Sequence, residues 1–348
     1  MLKIDRVTYN IMCAFSMLDK PSIRKASQIS NVPLTTLRRR LAQYNMWLRG
    51  VYDILQFGLH PVILFSTTGN IPDIPFASHF KTRSLRGEIS VYATILPRHI
   101  AIDLAEKYDA IVGAYMVYYT PYSQNTIKMP DENNIYLFPL FVLHTTAPKP
   151  QINRTQPNPP DIYDLFLLTH KIYRPFITIT EILTQLKRYA PHNYERYLAP
   201  SRNPLGLLSA HWRRHVRDTF RGVAAVPIIY DKCILADEIE IQNIHPTIFV
   251  FRGGMHADLA VSLAGMPRFF YAIVGEEASL AVGYGLTESY REKIYRLINE
   301  AGIEDAMELL VDPKRVKQGV PALYTYVEKD KDEWRWLETR KLLAQTKK

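Results

Sequence analysis

Apolar positions along the first fifty residues recur at helical spacing three times. Val7, Ile11, Ala14 and Leu18 predict a helix over 5–18. Lys20-Pro21 breaks that stripe, and Ser22 offers an N-cap hydroxyl for a second helix over 23–29. Ser30-Asn31-Val32-Pro33 reads as a turn, after which Leu34, Leu37 and Leu41 carry a third helix over 34–47. The period then shortens to that of strands at 62–67, 89–96 and 110–119. Pro97 opens a helix running to 107, and a short helix at 75–80 is expected in a poorly patterned stretch.

Five prolines between Pro148 and Pro160 cannot lie inside a helix or a central strand, so 147–160 is expected to be a semi-rigid linker. Beyond it, helices are predicted at 162–173, 180–189, 205–220, 256–264 and 288–301. Strands are predicted at 247–251, 269–274, 280–285 and 306–311, an order β-α-β-β-α-β that is ferredoxin-like. Three correspondences in the same order suggest one plan written twice. Leu37-Arg-Arg-Arg-Leu41 matches Trp212-Arg-Arg-His-Val216, His60-Pro61 matches His245-Pro246, and Gly87-Glu88 matches Gly275-Glu276.

The expected fold class is therefore α+β, with two helical (winged) helix-turn-helix domains and two ferredoxin-like βαββαβ domains in tandem. The expected boundaries are 1–50 and 161–224 for the helical domains, and 51–146 and 225–315 for the α+β domains. A charged helical tail over 316–348 completes the chain.

The net charge of +9 is unevenly spread. Residues 1–50 hold nine Lys/Arg against two Asp/Glu, and residues 161–222 hold ten against five. These segments carry +7 and +5, which leaves −3 for the rest, so a polyanion would be met by two basic segments. The longest apolar run, 136–143, is far below the ~20 residues of a bilayer span. With no apolar leader, a cytoplasmic, nucleoid-associated protein is expected. Cys13 and Cys233 show no ligand spacing and read as buried reduced thiols.

The second helix of a helix-turn-helix needs one face to pack and one to enter the major groove of duplex DNA. With Leu34, Leu37 and Leu41 inward, Arg39 points away, flanked by Thr35, Thr36 and Gln43 as base readers. Arg38, Arg40, Arg24 and Lys25, with Ser22 at a helix start, fall where phosphates pass. In the second basic helix Trp212, Val216 and Phe220 form the packing face. Arg213, Arg214, Arg217 and Arg221 then either contact DNA backbone in a degenerate head or only pack.

Residues 5–48 resemble the DNA-binding domain of the feast-famine (Lrp/AsnC-like) regulators, through Ile4-Asp5 and the run from Ile23 to Leu41. Residues 245–313, with Gly275-Glu276 before a strand, look like that family's ferredoxin-like effector domain. The resemblance implies transcriptional control, dimerisation through effector sheets or an internal pseudo-dimer, and a small-molecule effector near a domain interface. Members are usually about half this length with one copy of each domain.

No catalytic triad or paired carboxylates stand out, and no cofactor or enzymatic activity is expected. Arg252-Gly253-Gly254-Met255-His256 lacks the lysine and spacing of a phosphate loop. His211 and His215 are four apart on a helix, but without a third ligand no metal site is expected. The tyrosines of 112–119 suit a strand or interface better than a base-stacking platform. The function expected is a sequence-specific duplex-DNA-binding regulator. Its rivals are a replication-origin or chromosome-architecture factor and an enzyme that uses a helix-turn-helix for targeting.

Overall fold

Asp5 ties the N-terminal helices together. It ends strand β1 (Leu2–Asp5) and N-caps helix α1 (Arg6–Ser16), accepting from the Thr8 N–H at 3.0 Å and the Thr8 hydroxyl at 2.7 Å. Helix α2 (Ile23–Ser30) is capped by the Ser22 hydroxyl, and Asn31 ends it in the left-handed region at φ 52°. Helix α3 (Leu34–Gln43) returns Arg40 to 3.3 Å from Asp5, and the Tyr44 hydroxyl donates to the same carboxylate. Burial would raise the Asp5 pKa, but the bonds from Tyr44 and Thr8 and the charge of Arg40 outweigh it and hold the carboxyl below its usual range.

The structure, a computed structural model, describes residues 2–67, 77–85, 87–152, 159–227, 246–317, 319, 322–330 and 333–344. Among these no helix is long and apolar enough to cross a membrane. The third helix stops well short of 47. Asn45, at φ 40°, turns the chain into strand β2 (Trp47–Tyr52).

The first half continues with β3 (Leu59–Ser66), β4 (Ser78–Ser84), β5 (Gly87–Pro97), α4 (Arg98–Ala105) and β6 (Asp109–Tyr118). The helix expected at 75–80 is instead the start of a strand, with 75 and 76 outside the described residues. Strands β7 (Thr126–Pro130) and β8 (Asn134–Pro139) pair with each other, and β8 also pairs with β1 beneath the N-terminal helices.

The chain leading into the stretch expected to be a linker, and its first residues as far as Ile152, lie against the second half, where the Ile152 N–H donates to Glu276. The backbone N–H groups of His144 and Ala147 donate to Ser262 and Asp258, and Phe141 packs on the core beneath.

The second half opens with α5 (Ile162–Tyr173), α6 (Ile179–Tyr189), the single turn α7 (Pro191–Asn193) and α8 (Pro204–His211). No uniform basic helix runs on to 220. The backbone widens to π-helical bonding over Trp212–Val216 and then forms strand β9 (Phe220–Val226). The barrel strands follow: β10 (Pro246–Arg252), α9 (His256–Ala264), β11 (Phe269–Gly275), β12 (Ala278–Tyr284), α10 (Glu288–Glu300) and β13 (Asp305–Lys317). The tail expected to be helical is a hairpin, β14 (Val327–Asp330) with β15 (Glu333–Trp336), and a short helix α11 (Thr339–Ala344). Cys13 is buried and free, and Cys233 lies outside the described residues.

The architecture is mixed α+β around one closed eight-stranded barrel of order β10-β12-β11-β6-β3-β5-β4-β13. Two seams join strands from opposite halves: β6 with β11, where Tyr118 faces Tyr271, and β4 with β13, where Arg83 faces Leu310. Closure leaves the barrel without an exposed edge. Alternation along each strand sends Ile63, Val91, Ile111, Val250, Ile273 and Leu309 into a packed interior. On the other face Phe249, Phe269 and Ala272 meet α9 and α10. Outside the barrel β2 and β9 form an antiparallel ribbon, pairing Trp47 with Val226 through Tyr52 with Phe220.

Candidate functional site: the barrel mouth

At one end of the barrel Pro61 of β3, Ile95 of β5 and Tyr118 of β6 face Gly50–Tyr52 of β2 and Ile172 of α5 across a cavity. There the first residues of β3 and β11 and the last of β5, β6 and β12 come together, and the β2–β9 ribbon and the end of α5 cover them. Between ribbon and barrel lies a cavity of about 180 Å³, lined by Gly50, Tyr52, Pro61, Ile95, Tyr118 and Ile172 among others. On the far side of β2 an open recess of about 550 Å³ is lined by Trp47, Arg49, Tyr173, Phe176 and Glu181. Residues 49–50 and 172–173 form the wall between the two.

Arg49 sits in this wall. Its guanidinium lies 5.0 Å from the centroid of Trp47 and 4.7 Å from that of Tyr173, a double cation–π arrangement. It donates to the neighbouring Leu48 carbonyl at 3.1 Å. Among the described residues no carboxylate pairs with it, and its electrostatic neighbours are the phenols Tyr173, Tyr118 and Tyr271. Burial lowers the Arg49 pKa, which is the mark of a cation taken from water without a counter-ion.

The surrounding rings are closely set. Trp47 stacks on Tyr271 at 6.2 Å and 15° and meets Phe270 at 5.2 Å, and Tyr118 lies 6.0 Å from Tyr271. Burial raises the phenol of Tyr173 to about 12 and pushes those of Tyr118 and Tyr271 up as well, so all three stay protonated. The Tyr52 hydroxyl, in a residue 8% exposed, has no hydrogen-bond partner among the described residues, and it borders the cavity. A buried hydroxyl left unpaired costs about 1–3 kcal/mol. The mouth thus offers the Arg49 guanidinium, held between rings, several neutral phenolic donors and flat apolar walls. Among the described residues that line it, none is a nucleophile paired with a base.

The residues singled out from sequence lie elsewhere, on the outer surface of the helices. Arg24, Thr35, Arg38 and Arg39 are exposed, and Ser22 and Thr36 are half-buried. Arg40, expected as a phosphate clamp, is the partner of Asp5 and donates to Gln43, itself expected to read a base. Lys25 pairs with Asp19 at 2.5 Å. In the second segment Arg213 and Arg214 are exposed, and Arg213 bonds the Ser209 carbonyl. Arg217 pairs with Asp218 and Arg221 with Asp53. Arg221 alone of the thirteen also borders the mouth cavity. Sequence reading missed Arg49, Tyr52, Tyr118, Tyr173 and Tyr271. The one available signal was the tyrosine-rich run before Pro121.

No protein-family model matches the chain, and no curated protein does. Two solved structures are similar to it. One is the siroheme decarboxylase NirDL, at 12% identity and a TM-score of 0.44, and the other is the same enzyme in co-complex with an iron-uroporphyrin III analogue, at 11% and 0.43. Each alignment covers 99% of this chain and 100% of that one.

Both neighbours are structures of an enzyme and neither is a DNA-binding regulator. The expectations of a feast-famine transcriptional regulator, of a duplex-DNA partner and of a chain without enzymatic activity are corrected accordingly. The rival reading as an origin-binding or chromosome-architecture protein gains no support either.

Proposed function

We propose that the barrel mouth binds a small molecule with a flat, apolar body and an acidic group, and that Arg49 is the counter-ion of that group. The observation that carries this reading is the guanidinium itself, half-buried between two aromatic rings with no carboxylate paired with it among the described residues. Buried charges are paired or they are expensive, and a ligand carboxylate would supply the missing partner in bidentate geometry. The unpartnered Tyr52 hydroxyl and the phenols of Tyr118 and Tyr271 supply further donors. As an active site the mouth would fix a negative charge and offer hydrogen bonds from phenols that burial keeps protonated. That equipment suits a lyase or isomerase acting on a carboxylic acid better than a hydrolase.

In the same reading the barrel is two ferredoxin-like units in tandem, each with strand order 4-1-3-2, forming an internal pseudo-dimer. The boundaries at 51–146 and 225–315 are those of the units. The helical segments 1–50 and 161–224 supply the ribbon that closes the mouth.

The test is equilibrium binding of aromatic anions, followed through quenching of Trp47 emission. The panel is anilinonaphthalene sulfonate, protoporphyrin IX and iron-uroporphyrin III, the last in the chemical class of the neighbour's ligand. Saturable one-to-one binding is expected, weakened by ~10–100-fold in Arg49→Met and by less in Tyr52→Phe. Binding that is equally tight in Arg49→Met would sink the reading.

A further inference from the structure

The start of α5 and the turns that end α8 and follow it bring four metal-ligating side chains together, outside the barrel strands. Asp164 lies one helical turn after Asp161, and His215 one turn after His211, so each pair shares a helix face. His211 Nδ1 lies 3.0 Å from Asp164 Oδ1, and His215 Nδ1 lies 3.0 Å from Asp164 Oδ2. Asp161 Oδ2 is 3.9 Å from His211 Nδ1. One donor atom from each of the four residues falls within 4.8 Å of all the others.

We infer that these residues form a divalent transition-metal site, with Zn²⁺ the favoured ion. Three observations carry the assignment. Four-coordinate Zn²⁺ with ~2.0–2.2 Å bonds to nitrogen and oxygen has ligand–ligand edges of roughly 3.3–3.6 Å, which small side-chain adjustments reach from a set of one donor atom per residue lying within 4.8 Å of one another. Asp161 occupies the N-cap position of α5, where an aspartate ordinarily caps, yet its side chain makes no capping bond and approaches the imidazole. The two carboxylates are brought close together, with the side chain of Asp164 only 4% exposed, an arrangement that repels unless a cation lies between them.

The backbone conforms to the same site. It widens to π-helical hydrogen bonding over Trp212–Val216, a segment that begins just after His211 and contains His215, and such distortions are frequent at functional positions. Imidazole and carboxylate donors without thiolate suit Zn²⁺, Co²⁺ or Ni²⁺ better than a soft ion. Four protein ligands describe a closed, structural site rather than a catalytic one. The metal would pin α8 to the start of α5, the helix whose last turn carries Ile172 and Tyr173 to the barrel mouth.

The experiment uses tag-free full-length protein, stripped with chelator and titrated with Co²⁺ and then Zn²⁺. One Co²⁺ per chain is expected, with the intense visible absorption of four-coordinate cobalt, displaced by Zn²⁺ and accompanied by a rise in Tm. The double substitution H211Q/H215Q should weaken Zn²⁺ binding by ~100-fold or more, beyond the cost of losing an outer hydrogen bond to a ligand. Single H215Q removes the most exposed of the two rings and guards against a misfolded variant. It should keep the native circular dichroism while losing the cobalt spectrum. Absent cobalt absorption in folded wild-type protein, or affinity unchanged in H215Q, would overturn the assignment. Asp164 would then be a carboxylate held by two imidazole N–H donors.

Discussion

Arg49 shows how one residue can lower the stability of the free protein while making a site. Its guanidinium has lost water and gained two ring faces, but no opposite charge. Replacing a buried charge with an apolar side chain of similar length is often neutral or stabilising by about 1–4 kcal/mol. Arg49→Met is therefore expected to raise the urea midpoint of the ligand-free protein, or leave it unchanged, while weakening aromatic anion binding. Urea titrations in both states check this. A variant that loses several kcal/mol of stability would mean the guanidinium is a structural strut. Asp5 is the contrasting case. It too is half-buried, but Arg40, Tyr44 and Thr8 surround it, and its pKa moves the way a satisfied carboxylate's does.

At the scale of elements, β2 and α5 matter most, because both border the mouth and each other. A Cβ on Gly50 would lie 2.6 Å from the Lys171 carbonyl oxygen of α5 and 2.7 Å from Tyr52 Cε2, closer than packed atoms allow. Gly50→Ala should cost about 1–3 kcal/mol and disturb the Tyr52 ring together with ligand affinity. Denaturant melts and the binding assay read both effects, and a silent substitution would refute the tight β2–α5 contact. Helix α5 also predicts a pH dependence. Burial, and then the charge of Arg174, push the His170 imidazole down to about 4 against the pull of Gln185. The folded pKa is depressed, so the neutral ring's contribution is complete above the ordinary value near 6.5. It is lost as pH falls from there through 4, by about 3 kcal/mol at most. Stability measured at pH 7.5, 5.5 and 4.5 should fall in that window and fall less in His170→Gln. The elements most legible in the sequence were those with local causes. Ser22 caps α2, and the predicted spans 162–173 and 256–264 match α5 and α9. Strand β2 was hidden because Leu41, Tyr44 and Leu48 prolong a helical stripe that Asn45 interrupts.

At the scale of the molecule, the barrel explains why the site could not be read along the chain. Arg49 meets Tyr118, Tyr173 and Tyr271 only because the two halves interlock three times, at β2–β9, β6–β11 and β4–β13. Such pairings join residues far apart in sequence, and hydrophobic period carries no information about partner choice across such distances. The His–Asp cluster was half legible for the same reason. The i,i+4 histidines were visible, but Asp164 is 47 residues upstream of His211. The interlock also has a consequence for folding. Taken alone, the first half would leave β4 and β6 each with one open edge and β2 without its partner, and the second half would do the same at β11, β13 and β9, edges that invite aggregation. Residues 1–149 and 159–348 produced separately should each be aggregated or oligomeric. Produced together they should give a one-to-one complex on gel filtration that still binds aromatic anions, since every strand then has its native neighbours. A soluble, monomeric fragment 1–149 with native-like dispersion in its NMR spectrum would count against this. It would mean that the first sheet folds without its seams and that the mouth is assembled by docking two finished domains. Comparing the unfolding curve of the intact chain with that of the reassembled pair decides between the two, because interlocked strands require a single cooperative transition and docked domains allow two.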